Sequence, residues 1–231
     1  MRTTTKSLTA LLSAGIVVAA LAGCSQSGTG NTSDSGAGTT TSSSAAPSAS
    51  PTPALMTAVG GKTTAITLDA GFVKALTTLK LTPGTIGSAT LSKAGVLTFP
   101  ITGGNVTYYD PATKVRPYVQ GELDHQGSGL SLTAGDKKVE LKDFVIDPGN
   151  NSHVSGDVYL NGKSVVKGAN LFRLDGSTLN PVTKDGDAYV LEGTTVYVSE
   201  DAAALLNKTF GTTAVTGDLK VGIAKLTVTA K

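Results

Sequence analysis

Few side chains in this sequence could do chemistry, and most of them crowd between Val106 and Leu132. Tyr108, Tyr109, Tyr118, Glu122, Asp124 and His125 all fall there. An imidazole titrates near neutrality and can ligate, accept a proton or make a structural hydrogen bond. Residues two apart on a strand share a face. That period puts Tyr118, Gln120, Glu122 and Asp124 on one side. It puts Val119, Gly121, Leu123 and His125 on the other, which is the core side. His125 is then expected at the strand's end, over the edge of the core. With Tyr109 and Tyr118 it makes up the set of candidate ligand-binding residues. No residue is assigned a catalytic role. Glu122 and Asp124, with Cβ atoms about 7 Å apart on one strand face, have a spacing that an acid/base pair for sugar hydrolysis could use. Any strand with a solvated polar face produces the same spacing, and no aromatic sugar platform flanks them.

Other clusters carry less. Asp185-Gly186-Asp187, with Asp175 and Asn180 upstream, could take calcium, but the spacing matches no EF-hand loop and Asp-Gly is a common turn pair. His153 is expected on a polar face. The chain has two histidines and one cysteine, and no His-Glu-x-x-His helix, so no metal site is expected. It also lacks the Gly-x-Ser-x-Gly nucleophile elbow and the Gly-Lys-Ser/Thr phosphate loop.

The run His125-Gln126-Gly127-Ser128-Gly129-Leu130-Ser131-Leu132, inside a Gly- and Thr-rich β domain, resembles the haem-uptake surface domain of corynebacteria and their relatives. The resemblance implies a mainly β fold with short helices, and haem held through a tyrosine supported by a histidine. His125 is the position that carries over. The tyrosine stays open among Tyr108, Tyr109 and Tyr118. The chain departs from the family in having no Trp and few Phe.

At the amino terminus, Arg2 and Lys6 precede an uncharged run from Leu8 to Ala22. That run is shorter than the roughly 20 residues of a membrane-spanning helix, which fits a signal-peptide core. It ends in Leu21-Ala22-Gly23-Cys24, which resembles the bacterial lipobox. The resemblance implies cleavage before Cys24, which becomes the new N-terminus with diacylglycerol on its thiol, in a lipoprotein that also carries palmitate. Cys24 is the sole cysteine, so a lipidated chain has no disulfide or free thiol.

Around these residues the sequence sorts into three parts: 1–23 as signal peptide, 24–57 as lipidated Cys and tether, 58–231 as a single β domain. Ser25 to Pro53 is nearly all Ser, Thr, Gly, Ala, Pro and Asn, a composition that cannot offset its ordering entropy by burial. Beyond it, period-two alternation marks strands at Thr64–Leu68, Ala89–Leu91, Val96–Ile101, Tyr118–His125, Gly129–Thr133, Lys138–Ile146, Val154–Leu160, Ser164–Val166, Ala188–Leu191, Thr194–Val198 and Leu219–Thr229. Asn161-Gly162 is a hairpin turn pair. Val139, Leu141, Phe144 and Ile146 change parity at Lys142-Asp143, which predicts a β-bulge keeping all four inside. Asp69 and Ser199 have the residue types that cap helices, and apolar spacing of three and four follows each, predicting short helices near 69–79 and 199–209. Each helix is preceded by a strand and followed by a Thr-rich link, a Gly and another strand. This echo predicts a pseudo-symmetric pair at the two ends of one sandwich.

The fold expected is all-β, a sandwich or flattened barrel with two short helices. Charges of both signs are interspersed and the domain is close to neutral, which argues against nucleic acid as a partner. The expected function is a membrane-anchored, extracytoplasmic, non-enzymatic binding or scaffolding role at the cell envelope. Its partners would be the membrane through the N-terminal lipid, and a cell-wall component or small ligand. No cofactor is required by this reading. The alternatives are a haem or small-ligand binding protein using His125, and a carbohydrate-active hydrolase using Glu122 and Asp124.

Overall fold

The computed structural model describes residues 52–53, 55–58 and 60–229; the signal segment, Cys24 and nearly all of the tether lie outside them. The described chain is mainly β. In order it forms β1 (Leu55–Ala58), β2 (Gly60–Leu68), α1 (Ala70–Thr78), β3 (Thr82–Gly87), β4 (Thr90–Leu91), β5 (Val96–Pro100), β6 (Gly103–Tyr108) and β7 (Val119–Ala134). There follow β8 (Lys137–Asp147), β9 (His153–Leu160), β10 (Lys163–Asp175), a 3-10 turn (Gly176–Thr178), β11 (Thr183–Asp185), β12 (Ala188–Val198), α2 (Glu200–Phe210) and β13 (Lys220–Thr229). The strands pair antiparallel in the order β1-β6-β7-β8-β9-β10-β12-β13-β2-β5-β4, with β3 on β7 and β11 on β12.

This sheet curls into a nearly closed barrel. The seam closes where β5 runs into β6. The Ile101 N–H donates to the Lys62 carbonyl in β2, and the next N–H, of Thr102, donates to the Asp124 carbonyl in β7. At the other end of the seam β3 pairs with the second half of β7 and leads into β4 on β5. Closure satisfies backbone groups that an open edge would leave unpaired.

Both helices form where capping residues follow a strand. Asp69 accepts the Gly71 N–H at 2.8 Å, and Ser199 accepts the Ala202 N–H at 3.0 Å. Glu200 and Asp201 stand in the first turn of α2, where the helix dipole favours acids. β2 and β12 both pair antiparallel with β13, so they run parallel to one another and end beside residues 220–222. The helices therefore leave the barrel at the same end, which corrects the expected placement at two ends. Their apolar faces pack there: Leu76 of α1 and Ala202, Ala203 and Leu206 of α2 are buried.

The predicted bulge is present. Val139, Leu141, Phe144 and Ile146 are all buried, and the β8–β9 register shifts between Lys142 and Val145. Asp143 takes φ 53° to make that shift. A matching irregularity sits opposite on β7, between His125 and Gly129.

Candidate functional site

The paired bulges set the site. Strand β7 brings Leu123 and His125 into the barrel, then leaves the β8 ladder over Gln126–Ser128 before that pairing resumes at Gly129. Gly127 adopts φ 71°, where residues with a Cβ are strained. Its N–H donates to the Asp143 carboxylate at 2.8 Å, and the Ser128 hydroxyl donates to the His125 carbonyl at 2.9 Å. Gly129 passes so close to β8 that a Cβ there would lie 2.2 Å from the Leu141 carbonyl oxygen. The Gly-Ser-Gly spacing is thus a device for fixing His125 inward while the strand continues.

His125 is 1% exposed. Its Nε2 lies 2.8 Å from the hydroxyl of Thr64 on β2, a contact across the barrel seam. Its Nδ1 is buried and has no hydrogen-bond partner among the described residues. Burial is the largest influence on the ring and pushes its pKa below the usual 6.5; the Phe144 and Leu123 backbone and the Asp124 carboxylate oppose it. The imidazole is therefore neutral at physiological pH, with one nitrogen satisfied and the other idle.

That ring faces a cavity of about 180 Å³ in the barrel interior. Its inner part is walled by Phe99, Phe144, Leu97, Val221 and Ala224, all of them buried or nearly so. Phe144 meets Phe99 edge-on at 5.3 Å between centroids, and Phe172 at 6.2 Å. The outer part is lined by Pro117, Tyr118, Pro148, Ser152, Gly176 and Leu179, which are partly exposed and form a mouth. Among the described residues, no lining side chain carries a formal charge apart from the titratable His125. A second, smaller cavity of about 50 Å³ lies between the barrel and the two helices, and shares Leu97, Leu130, Phe172 and Val221 with the first.

Of the residues singled out from the sequence, His125 and Tyr118 line this one cavity. Tyr118 stands at the mouth, with its hydroxyl donating to the Gly176 carbonyl at 2.7 Å and its ring edge-on to Tyr108 at 6.1 Å. Burial raises the Tyr108 hydroxyl above its usual pKa of 10.0, with Asp110 and Tyr118 adding to it. Tyr109 is not in the cavity wall; its backbone N–H continues the ladder by donating to the Tyr118 carbonyl. Glu122 and Asp124 point away from the cavity, on the face opposite Leu123 and His125, and Glu122 is exposed. His153 lies outside it too, its Nδ1 2.8 Å from the Asn151 carbonyl. Asp185 pairs with Ala188 around Gly186-Asp187, a two-residue hairpin turn, and Asp175 is occupied by the N–H and hydroxyl of Ser177. Thr64, Phe99 and Phe172 were not singled out, and Phe144 only as a core residue of the bulge. Thr64 shares the parity of Ile66 and Leu68, the one signal that would have placed it inside.

No protein-family model matches the chain, and no curated protein does. Solved structures similar to it include the C-terminal domain of HtaA from Corynebacterium glutamicum. That likeness has 12% identity and a TM-score of 0.48, and covers 73% of this chain and 98% of that one. The haem-binding protein HtaB from the same organism is similar at 10% identity and a TM-score of 0.46, covering 76% of this chain and 94% of that one.

Proposed function

We propose that this chain is an extracytoplasmic lipoprotein, held at the cell membrane by acyl chains on Cys24, whose barrel interior binds a small, predominantly apolar ligand. The observation that carries the binding reading is a buried imidazole with an idle Nδ1 in the wall of an otherwise apolar cavity. A buried polar atom without a partner costs about 1–3 kcal/mol, and a ligand that supplies the partner recovers it. Pockets of this kind, apolar with a few placed polar groups, are the usual form of small-molecule sites. The cavity favours carriage of a ligand over a purely scaffolding role.

Haem, which the sequence resemblance implies, does not fit this interior as it stands. The cavity is smaller than the roughly 300 Å³ at which pockets for drug-sized ligands begin, and a porphyrin is larger than such ligands. Tyr118, the cavity's tyrosine, has its hydroxyl engaged with Gly176.

The test is a titration of the purified protein with benzyl alcohol, followed through the histidine ring nitrogens by ¹H–¹⁵N NMR. Saturable movement of the His125 resonances is expected, and their constancy would overturn the reading. A parallel haemin titration is expected to give no saturable Soret band. A band that His125→Ala abolishes would replace the small-ligand reading with haem binding. For the anchor, Cys24→Ser is expected to move the protein from the membrane fraction to the medium. Unchanged membrane association of that variant would remove the lipid from the account.

A further inference from the structure

We infer that the ligand is electrically neutral, with an apolar body and one hydroxyl or carbonyl group that meets His125 inside the barrel. The inference rests on the proposed binding site and narrows it to a chemical class.

Three observations carry it. First, the described walls offer an ionised group nothing: no Lys, Arg, Asp or Glu side chain lines the cavity. Moving an unpaired charge from water into such a space costs far more than a hydrogen bond returns. Second, the polar side chains of the wall are few: His125 and Thr64 already satisfy each other through Nε2, the Tyr118 and Ser152 hydroxyls donate to backbone carbonyls, and Thr194 is only half-buried. The fully buried polar side-chain atom left without a partner among the described residues is Nδ1. One idle nitrogen calls for one polar group on the ligand. A hydroxyl can donate to it or accept from it, whichever tautomer Thr64 selects; a carbonyl serves the tautomer with hydrogen on Nδ1. Third, the space resembles in size the apolar cavities of about 150 Å³ that hold a single benzene ring. Phe99, Phe144 and Phe172 line it, packed edge-on to one another, so a compact aromatic or branched body fits the wall.

The experiment compares toluene, benzyl alcohol, benzoate and benzylamine on the purified protein at neutral pH. Calorimetry gives affinity, and the His125 nitrogen resonances report where the head group lies. Benzyl alcohol is expected to bind tightest, with benzoate and benzylammonium at least about 100-fold weaker. In His125→Leu the advantage of benzyl alcohol over toluene is expected to fall about tenfold. Toluene binding that survives in His125→Leu, with an unchanged near-ultraviolet circular dichroism spectrum, guards against a folding defect in that variant. Benzoate binding within about threefold of the alcohol would overturn the neutral class while leaving the site standing. Failure of toluene and the alcohol alike would overturn the site itself. An alcohol preference that survives loss of the imidazole would remove His125 from the recognition.

Discussion

At the scale of single residues the molecule turns on Thr64 and His125. Their contact joins two strands that meet only at the seam, and it leaves the ring half satisfied. Replacing Thr64 by Val keeps the shape and strips Nε2 of its partner. The expected loss is about 1–3 kcal/mol in denaturant unfolding. A variant within 0.5 kcal/mol of the parent, an approximate limit for surface changes, would mean the hydroxyl contributes nothing. The same ring gives a pH dependence. Burial lowers its folded pKa beneath the unfolded 6.5, so the unfolded chain takes up a proton first as pH falls. Its stabilising effect is complete above about pH 6.5 and declines below it. Asp157 and Glu140 are also lowered, by Lys167 and Lys138 respectively. Those contributions vanish only as pH falls through the carboxylate range, below about 4. Between pH 7 and 5, melting temperature is therefore expected to drop for the parent and stay flatter for His125→Leu. Equal slopes would contradict the assignment. Parity of two was enough to send His125 inward, because Leu123 and Val119 share its face. It was silent on Tyr109, which lies just past the end of β6 at Tyr108.

Among the elements, caps and bulges were the legible features, since their causes are local. Asp69 and Ser199 cap the helices expected of them, and Asp143 makes the bulge that four apolar residues required. Ser199 does more than cap: its hydroxyl also donates to the Asn170 carbonyl at 2.7 Å, tying α2 to β10. Ser199→Ala is expected to cost about 1–2 kcal/mol, the upper part of the range for caps, read by thermal melting. Asp69→Ala, partly exposed and with its side chain tied to β13 only by the Lys220 ion pair at 3.3 Å, is expected to cost less. At Asp143 the left-handed backbone and the bond to Gly127 make a sharp contrast. Asn keeps both and is expected to be nearly neutral, whereas Val, β-branched, is expected to cost about 2 kcal/mol or more. Strands β3 and β6 escaped notice for the same local reason in reverse. Thr82–Gly87 contains Pro83 and Gly84, and Gly103–Tyr108 opens on two glycines that leave only Val106 and Tyr108 to alternate, a run too short to stand out. β10 is longer than its signal because bulges break its period. These strands exist through their partners on β7 and β9.

For the molecule as a whole, mainly β with two helices was readable from the sequence, but closure was not. A sandwich and a barrel share the same strand pattern. The choice rests on one handover, at Ile101 and Thr102, between residues far apart in sequence. The cavity follows from that closure and from the bulges, neither of which fixes its position until the strands are assembled. Access to it passes Tyr118, whose hydroxyl bridges the mouth to Gly176. Tyr118→Phe is expected to speed ligand release several-fold, seen in NMR line shapes, with stability changed by less than about 1.5 kcal/mol. Release at the parental rate would show that this bridge does not gate the mouth.

Two helices seated on one end of a barrel leave the mouth at Tyr118 as the way in that the described residues show. An occupant and its replacement cannot pass inside, so turnover must go by way of the empty state. The rate at which a bound molecule is exchanged should then be fixed by its own departure and indifferent to how much competitor waits outside. A rate that climbs with competitor concentration would mean a second opening between the helices.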